Sequence, residues 1–203
     1  MKKILTVALI AVIVLSIGAS VWAYFSAPKN AAEPGLTVVA APEQTKAQRP
    51  PCFPDPEANF IPMPETENLA LHRPIRSGEI TDVYVSENVN DGKTDTYWES
   101  KGFPAEMTFE LDGSHRISTV CVRLNPSAIW EPRTQEIAIL VSADGESFTE
   151  AVPAARYDFD AATGNRIRID FAATDAAFVK VVFTMNSSSR TGGAQAAEIE
   201  IYE

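Results

Sequence analysis

The chain has 203 residues, 45% of them hydrophobic, and a formal net charge of −10. This length is sufficient for one domain of ordinary size with a packed core. The acidic balance argues against a nucleic-acid-binding protein, because binding to a polyphosphate depends on clustered Lys and Arg side chains that release counterions.

The first 25 residues are directed to a membrane. Lys2 and Lys3 precede Ile4–Phe25, a run with no charged side chain. A cleaved signal peptide needs about 7 to 15 apolar residues and a transmembrane helix about 20, so the run fits either element. Cleavage after Ala23 suits the first interpretation, whereas Trp22 is of the aromatic type that anchors a helix at the interface. Because the lysines lie on the N-terminal side only, both interpretations place the rest of the chain outside the membrane.

Residues 26–67 have the composition of a linker. Most of the 14 prolines fall here, and no apolar periodicity is sustained. Proline removes backbone donors and favours extended geometry, so we expect a spacer. A less polar part at Phe53, Phe60, Ile61 and Met63 is a candidate for packing on the domain that follows.

Cys52 and Cys121 are the only cysteines. In an oxidising compartment they can form a disulfide that joins the linker to the domain. Cys121 lies in an apolar run, however, and a buried unpaired cysteine that packs as a small hydrophobe is the alternative. The sequence leaves both open.

Residues 68–203 show the pattern of an all-β domain. Apolar and polar side chains alternate along short runs, which is typical of strands with one buried face. The alternating or continuously apolar runs are Met107–Leu111, Ile117–Leu124, Ile137–Val141, Ile167–Phe171, Phe178–Met185 and Ile199–Ile201. The turn signals between them are Asp112-Gly113, Asp144-Gly145 and Thr163-Gly164-Asn165. This spacing predicts an antiparallel β-sandwich, preceded by an N-terminal hydrophobic helix and a Pro-rich linker.

Several short motifs then occur in a fixed order. They are Asn68-Leu69-Ala70, Asp91-Gly92-Lys93-Thr94-Asp95-Thr96-Tyr97-Trp98, Phe109-Glu110-Leu111-Asp112-Gly113, Trp130-Glu131-Pro132-Arg133-Thr134-Gln135, Val141-Ser142-Ala143-Asp144-Gly145, Phe178-Val179-Lys180-Val181 and Ala197-Glu198-Ile199-Glu200-Ile201-Tyr202. Together they resemble the discoidin, or coagulation factor 5/8 type C, domain family, and most closely its bacterial carbohydrate-binding-module relatives. The resemblance covers residues 68–203, with Glu110 where the family usually has Asp. It implies a galactose-binding-like jelly roll of about eight strands.

The resemblance also implies a function. We expect a non-catalytic module that binds a glycan or cell-wall polysaccharide, secreted or anchored to the bacterial membrane by its N-terminal segment. An envelope domain that binds a protein partner and no glycan is the alternative. Enzyme activity is not expected, because His72 and His115 are far apart and neither accompanies a nucleophile motif.

A structural calcium ion is implied where the Asp-Gly loop meets the last strand. Calcium takes 6 to 8 oxygen ligands, commonly carboxylates mixed with carbonyls. By position in the family motif, Asp91 and Glu198 would each give a carboxylate. Thr96 would give its carbonyl or hydroxyl oxygen and Ala197 its carbonyl oxygen. Asp95 is a weaker candidate. In the alternative, Asp91 forms only an Asx turn and Glu198 caps an amide.

The loops carry candidate residues for binding a sugar. A sugar presents an apolar C–H face and many hydroxyl groups, so its site needs an aromatic platform with polar groups around it. The candidates are Tyr84, Trp130, Glu131, Arg133, Asn186 and Arg190. Partial burial of Trp130 and a structural ion pair at Arg133 are the alternatives for those residues, and Trp98 is expected in the core. The loop 186–193 contains no aromatic residue, which argues against both galactose and an inserted phospholipid.

Overall fold

A computed structural model describes residues 57–203 of the chain. Its eight strands are β1 Ile75–Ser77, β2 Trp98–Glu99, β3 Ala105–Arg123, β4 Arg133–Ser142, β5 Thr149–Phe159, β6 Arg166–Asn186, β7 Gln195–Ala196 and β8 Glu198–Tyr202, with 3-10 helices at Ser86–Val89 and Ala161–Thr163. The described range contains no α-helix and no helical segment able to span a membrane. The hydrophobic segment 1–25, most of the linker and Cys52 lie outside it.

All strand pairs are antiparallel. A six-stranded sheet has the order β1-β3-β6-β4-β5, with β8 also paired to β3, and β2 and β7 form a separate two-stranded sheet. The all-β antiparallel fold expected from the sequence is therefore confirmed.

The two longest strands each unite two runs that the sequence analysis separates. Strand β3 continues through Asp112-Gly113, where a turn is predicted, and β6 joins the runs that begin at Ile167 and Phe178. The ladder between β3 and β6 changes register between Glu110 and His115, so these turn-forming residues lie in an irregular stretch of strand rather than at a hairpin. An irregularity of this kind bends a strand without ending it.

One cluster of buried hydrophobic side chains forms the core. Large side chains from both ends of β3 and β6, from β4 and from β8 are fully buried in one cluster; they include Met107, Phe109, Ile117, Ile137, Ile139, Phe183, Ile199 and Ile201. Trp98 is 1% exposed and its ring lies 5.6 Å from that of Phe183, so this residue is in the core as expected. Cys121 is also buried, and burial raises the pKa of its thiol to about 12.

One strand of the fold was not expected from the sequence pattern. Strand β5 pairs only with β4 and forms an edge, and it contains Pro153, which a central strand would not accommodate. The end of the linker contacts the domain, as its less polar residues indicated: the amide of Ile61 donates to the Thr163 carbonyl at 3.3 Å, and the Phe60 ring lies 5.0 Å from the Arg166 guanidinium.

The small β2–β7 sheet is held by a close backbone approach. A Cβ atom on Gly193 would lie 1.8 Å from the carbonyl oxygen of Ser100, so only glycine fits there. The Ala194 amide donates to the Ser100 hydroxyl at 2.8 Å, and the Ser100 amide donates to the Ala194 carbonyl at 3.0 Å. This contact fixes the ends of β2 and β7, the strands that carry Glu99 and Gln195.

Candidate functional site: an aromatic cleft and a carboxylate pair

An open cleft of about 360 Å³ lies at one end of the β2–β7 sheet. We call it the aromatic cleft, and its lining residues are Tyr84, Tyr97, Glu99, Ile129, Trp130, Arg133, Arg190 and Gln195. The direction of side chains along the chain explains part of this set, because neighbouring residues in an extended segment point to opposite faces. Trp98 enters the core, and so Tyr97 and Glu99 face the cleft.

Three aromatic rings form the wall of the cleft. The rings of Tyr84 and Tyr97 are stacked, with centroids 4.3 Å apart and planes 23° apart. The Trp130 ring meets Tyr97 edge-on, at 4.8 Å and 87°. The side-chain amide of Asn88 fixes the backbone of this wall by donating to the Tyr97 carbonyl at 2.8 Å. Burial and the neighbouring Tyr84 raise the pKa of Tyr97, so its hydroxyl stays protonated.

A buried hydrogen-bond network lies beneath the wall. The Gln195 side chain accepts from Nη1 of Arg133 and donates to Oε2 of Glu99 at 2.7 Å. Gln135, itself fully buried, holds the Gln195 backbone through two bonds, of 2.9 Å to its carbonyl and 3.0 Å from its amide. The guanidinium of Arg133 lies 5.0 Å from the Trp130 ring centre. Gln195 thus holds a hydrogen-bond donor, Arg133, and an acceptor, Glu99, next to the aromatic wall.

The rim of the cleft is more exposed. Arg190 Nε lies 3.5 Å from Oε2 of Glu131, and the hydroxyl of Ser188 donates to Oε1 of Glu131 at 3.4 Å. Ile129 is 78% exposed beside the cleft. Both the cation and the carboxylate of this ion pair are thus accessible to a ligand.

Among the six candidates from the sequence, Tyr84, Trp130, Arg133 and Arg190 line the cleft. Glu131 lies at the rim as the partner of Arg190. Asn186 has a structural position instead: its amide donates to the Gly193 carbonyl at 3.1 Å, and its oxygen accepts from the Ser188 amide at 3.0 Å.

Of the two alternatives considered for the central residues, the structure shows the partial burial of Trp130 but no ion pair at Arg133 among the described residues. Trp130 packs partly against the core while it lines the cleft. Arg133 is buried, but its partners are the Gln195 side chain and the Glu131 carbonyl, so the ion pair considered for it is not formed with any described residue. Sequence reasoning missed Tyr97, Glu99 and Gln195. Because Trp98 was expected in the core, alternation along a strand could have placed Tyr97 and Glu99 on the opposite face.

A second site lies where the Asp-Gly loop meets β8. Glu198 is 2% exposed, and its Oε1 accepts hydrogen bonds from the amides of Gly92 at 2.7 Å and Lys93 at 3.0 Å. The Lys93 amide is shared with Asp91, so the two carboxyl groups lie next to each other. Burial, followed by the contact with Asp91, raises the pKa of Glu198 to about 8. We call Asp91 and Glu198 the carboxylate pair.

The remaining calcium candidates surround this pair unequally. The Thr96 hydroxyl donates to Asp91 at 2.9 Å, Ala197 is buried next to Glu198 in the chain, and Asp95 is exposed. The Asx turn and the amide caps of the alternative interpretation are both present, since Asp91 also accepts from the Lys93 amide at 2.9 Å. Within residues 57–203 no group of three or more acidic, His or Cys side chains is arranged to hold a metal. Two adjacent carboxyl groups nevertheless fit a cation, because ionising both without one is unfavourable.

A sequence profile supports the class of the domain. Residues 88–181 match the profile described as "NedA-like, galactose-binding domain", of the F5/8 type C group. No curated protein sequence matches the chain significantly.

Solved structures share the fold. The carbohydrate-binding module CBM32 of AlyQ, in complex with 4,5-unsaturated mannuronic acid, is 21% identical with a TM-score of 0.56, over 68% of this chain and 99% of that one. The module CpGH89CBM32-5 of Clostridium perfringens, in complex with GalNAc-β-1,3-galactose, is 21% identical with a TM-score of 0.56, over 68% and 100%. A pectin-binding carbohydrate-binding module is 19% identical with a TM-score of 0.54, over 64% and 89%.

The fold is that of a galactose-binding-like β-sandwich, and the profile match over residues 88–181 makes the domain similar to the F5/8 type C group. The resemblance expected from the sequence motifs is thereby confirmed. Carbohydrate-binding modules are non-catalytic domains, which agrees with the expectation that this chain is not an enzyme.

Proposed function

We propose that the chain is a non-catalytic glycan-binding module that holds a sugar residue in the aromatic cleft. The observation that carries this proposal is the fixed combination of the Tyr84–Tyr97–Trp130 wall with the Glu99–Gln195–Arg133 network. Aromatic rings contact the apolar face of a sugar, while Arg133 can donate to a hydroxyl group and Glu99 can accept from one. The carbohydrate complexes of modules with the same fold are consistent with this use of the cleft.

Calcium binding at the carboxylate pair is a second part of the proposal. Asp91 and Glu198 would hold the ion, with Thr96 and the carbonyl of Ala197 as further oxygen ligands and Asp95 in a minor role. Bound calcium would neutralise the buried pair and so stabilise the loop that leads into Tyr97. Its role is structural, since the aromatic cleft is lined by other residues.

Location outside the cell is the third part. The lysines at positions 2 and 3 and the uncharged run 4–25 support export or anchoring, and the linker 26–67 would then separate the module from the membrane. A glycan or cell-wall polysaccharide is the partner expected in that location.

The proposal is tested by isothermal titration of the full chain with glycans that bind on an array. Tyr97→Ala is expected to weaken the binding by about tenfold or more, because stacking on an aromatic ring is lost. Phe103→Ala is the matched control, since Phe103 is an exposed aromatic residue outside the cleft. Equal affinity of the two variants would contradict the proposed site, and a blank array with a co-purifying protein would favour the envelope interaction domain instead.

A further inference from the structure

A second open space lies on the opposite face of strand β2 from the aromatic cleft. Because side chains alternate along a strand, Trp98 and Ser100 face away from Tyr97 and Glu99. Trp98 and Ser100 line a cavity of about 410 Å³, whereas Tyr97 and Glu99 line the cleft. The cavity and the cleft have no lining residue in common, so they are separate sites on the domain.

A neighbouring cavity of about 450 Å³ extends this space beside β1 and the start of β3. The two cavities share Gly78, Pro104 and Glu106 among their lining residues, so they form one continuous groove. We call it the Gly78 groove. Each cavity alone is within the range of about 300 to 1,000 Å³ that is typical of ligand sites.

The groove is open where two glycines lack a side chain. Gly78 and Gly102 both line it, and a Cβ atom on either residue would meet no other atom within 4 Å. Neither residue has the left-handed φ angle that would require glycine. The backbone therefore accepts a larger residue at both positions, and the two glycines leave room for a ligand.

Trp98 brings an unused hydrogen-bond donor to this groove. The residue is 1% exposed, and its Nε1–H has no acceptor within the described part of the chain. Buried polar groups in proteins are nearly always hydrogen-bonded, so this donor is available to an acceptor on a ligand. Because the ring itself is buried, Trp98 offers no aromatic face on which a sugar could stack. A carbonyl oxygen that enters the groove is a suitable acceptor.

The charged side chains of the groove balance one another. Two are acidic and two are basic: Arg76, Glu79, Lys101 and Glu106. Lys101 Nζ lies 3.2 Å from Oε2 of Glu79, and the other two are paired with Glu110 and Lys180. The groove thus carries no net charge, although the whole chain carries −10, and this balance favours an uncharged ligand.

We propose that the Gly78 groove binds an extended peptide segment of a partner protein. A peptide carbonyl accepts from Nε1 of Trp98, and an apolar side chain of the same segment lies against Pro104 and Ala105. A peptide suits the groove because neutral amide groups alternate with side chains along an extended chain. The inference goes beyond glycan binding, since it gives the module a second ligand at a separate surface.

The test uses random dodecapeptides displayed on phage, which are selected on the full chain and then titrated as synthetic peptides. We expect Gly78→Leu to weaken the binding of the selected peptide about tenfold or more, because the added side chain occupies space common to both cavities. Gly113→Leu is the matched control: a Cβ atom on Gly113 also meets no atom within 4 Å, and Gly113 lines neither cavity. The inference is wrong if no peptide is selected, or if the peptide binds Gly78→Leu as tightly as the unsubstituted chain.

The indole N–H resonance of Trp98 gives a second measurement, which decides the question even if Gly78→Leu fails to fold. In the isotope-labelled full chain we expect the selected peptide to move this resonance downfield, because a hydrogen bond forms at Nε1. A resonance that stays in place at saturation with the peptide would overturn the inference. A shift caused by a glycan instead would identify the groove as a second sugar site.

The two proposals can fail separately. Tyr97→Ala is expected to lose glycan affinity and to bind the peptide as tightly as the unsubstituted chain, because Tyr97 lies outside the groove. Gly78→Leu is expected to show the reverse. Loss of peptide binding in Tyr97→Ala would place the peptide in the aromatic cleft and contradict the assignment to the groove.

Discussion

The aromatic cleft and the carboxylate pair each contain one deeply buried charged residue, and the two differ in how the charge is accommodated. Arg133 keeps its charge and is surrounded by neutral acceptors and an aromatic ring. Glu198 faces another carboxyl group, and its raised pKa means that a proton can neutralise it. A cation can do the same for Glu198, whereas only an anion can do so for Arg133.

The difference agrees with two separate roles, glycan recognition at the aromatic cleft and stabilisation of the fold at the carboxylate pair. The cleft around Arg133 is open to a glycan, while the environment of Glu198 is closed by the amides of Gly92 and Lys93. Both regions nevertheless depend on the same short sheet: Gln195 of β7 carries the network below the cleft, and Glu198 begins the strand that follows. A substitution can therefore affect both regions through this sheet, or one region alone.

The largest effect is expected at Gly193, which supports both regions. Gly193→Ala places a Cβ atom against the Ser100 carbonyl and forces the β2 and β7 strands apart. We expect a loss of about 3 kcal/mol in the free energy of unfolding, together with loss of glycan binding. Urea unfolding and calorimetric titration measure the two effects.

Gly192→Ala is the control for this substitution. No atom lies within 4 Å of a Cβ built on Gly192, so its stability should change little. If both variants lost the same stability, the close approach at Ser100 would not explain the requirement for glycine.

The second prediction isolates the carboxylate pair. Calcium at one hundred times its Kd should stabilise the chain by about 2.7 kcal/mol, and this gain should disappear in Glu198→Gln. In EDTA the variant should be at least as stable as the unsubstituted chain, because an amide keeps an acceptor for Gly92 and is neutral without a bound proton or cation. Thermal melts with EDTA and with calcium measure both effects.

Asp95→Asn tests whether Asp95 contributes less to calcium binding than Asp91 and Glu198 do. Asp95 is exposed, so most of the calcium effect should remain in this variant. Coincident melts of the unsubstituted chain with and without calcium would show that the site does not bind calcium.

Strands were predictable from the sequence where one face is buried, because apolar and polar residues then alternate. Met107, Phe109 and Leu111 alternate because one face of β3 is in the core, and this pattern identifies the strand. The end of the strand was mispredicted at Asp112-Gly113, because these residues suit an irregular stretch as well as a turn. Strand β5 was missed for a related reason: it is largely exposed, so no buried face gives it a pattern.

The candidate cleft was predictable only in part. Trp130 and Arg133 stood out by residue type, and the fold brings them close to Tyr84 and Arg190 from distant parts of the chain. Gln195 could not be singled out, because its importance comes from contacts with Gln135 and Arg133, which are 60 and 62 residues away in the chain.

The third prediction uses His115 as a reference, because both of its ring nitrogens face carboxylates. Its Nε2 lies 2.7 Å from Asp112 and its Nδ1 lies 3.1 Å from Glu203, and hydrogen bonds to both carboxylates raise its pKa. The stabilisation is therefore fully present below the unfolded pKa of about 6.5 and is lost as pH rises through the higher folded value.

We expect this contribution to remain below about 1 kcal/mol, because the partners are largely exposed. Urea unfolding at pH 5.5 and pH 9 of the unsubstituted chain and of His115→Gln measures it. The difference between the two proteins cancels the other titrating groups. A variant that lost stability equally at both values would show that His115 acts by packing alone.

The smallest effect is expected at the rim, where the charge of Arg190 is two-thirds exposed. Arg190→Gln removes one cation from the cleft and also frees the Glu131 carboxylate, whose field then acts more strongly on Arg133. The rim then offers a glycan one charged donor fewer, but solvent screens both changes, so we expect an affinity loss of only about twofold to fivefold. Titrations at low and high salt should show the loss shrinking as salt increases. A loss as large as that expected for Tyr97→Ala would instead identify Arg190 as a main contact of the ligand.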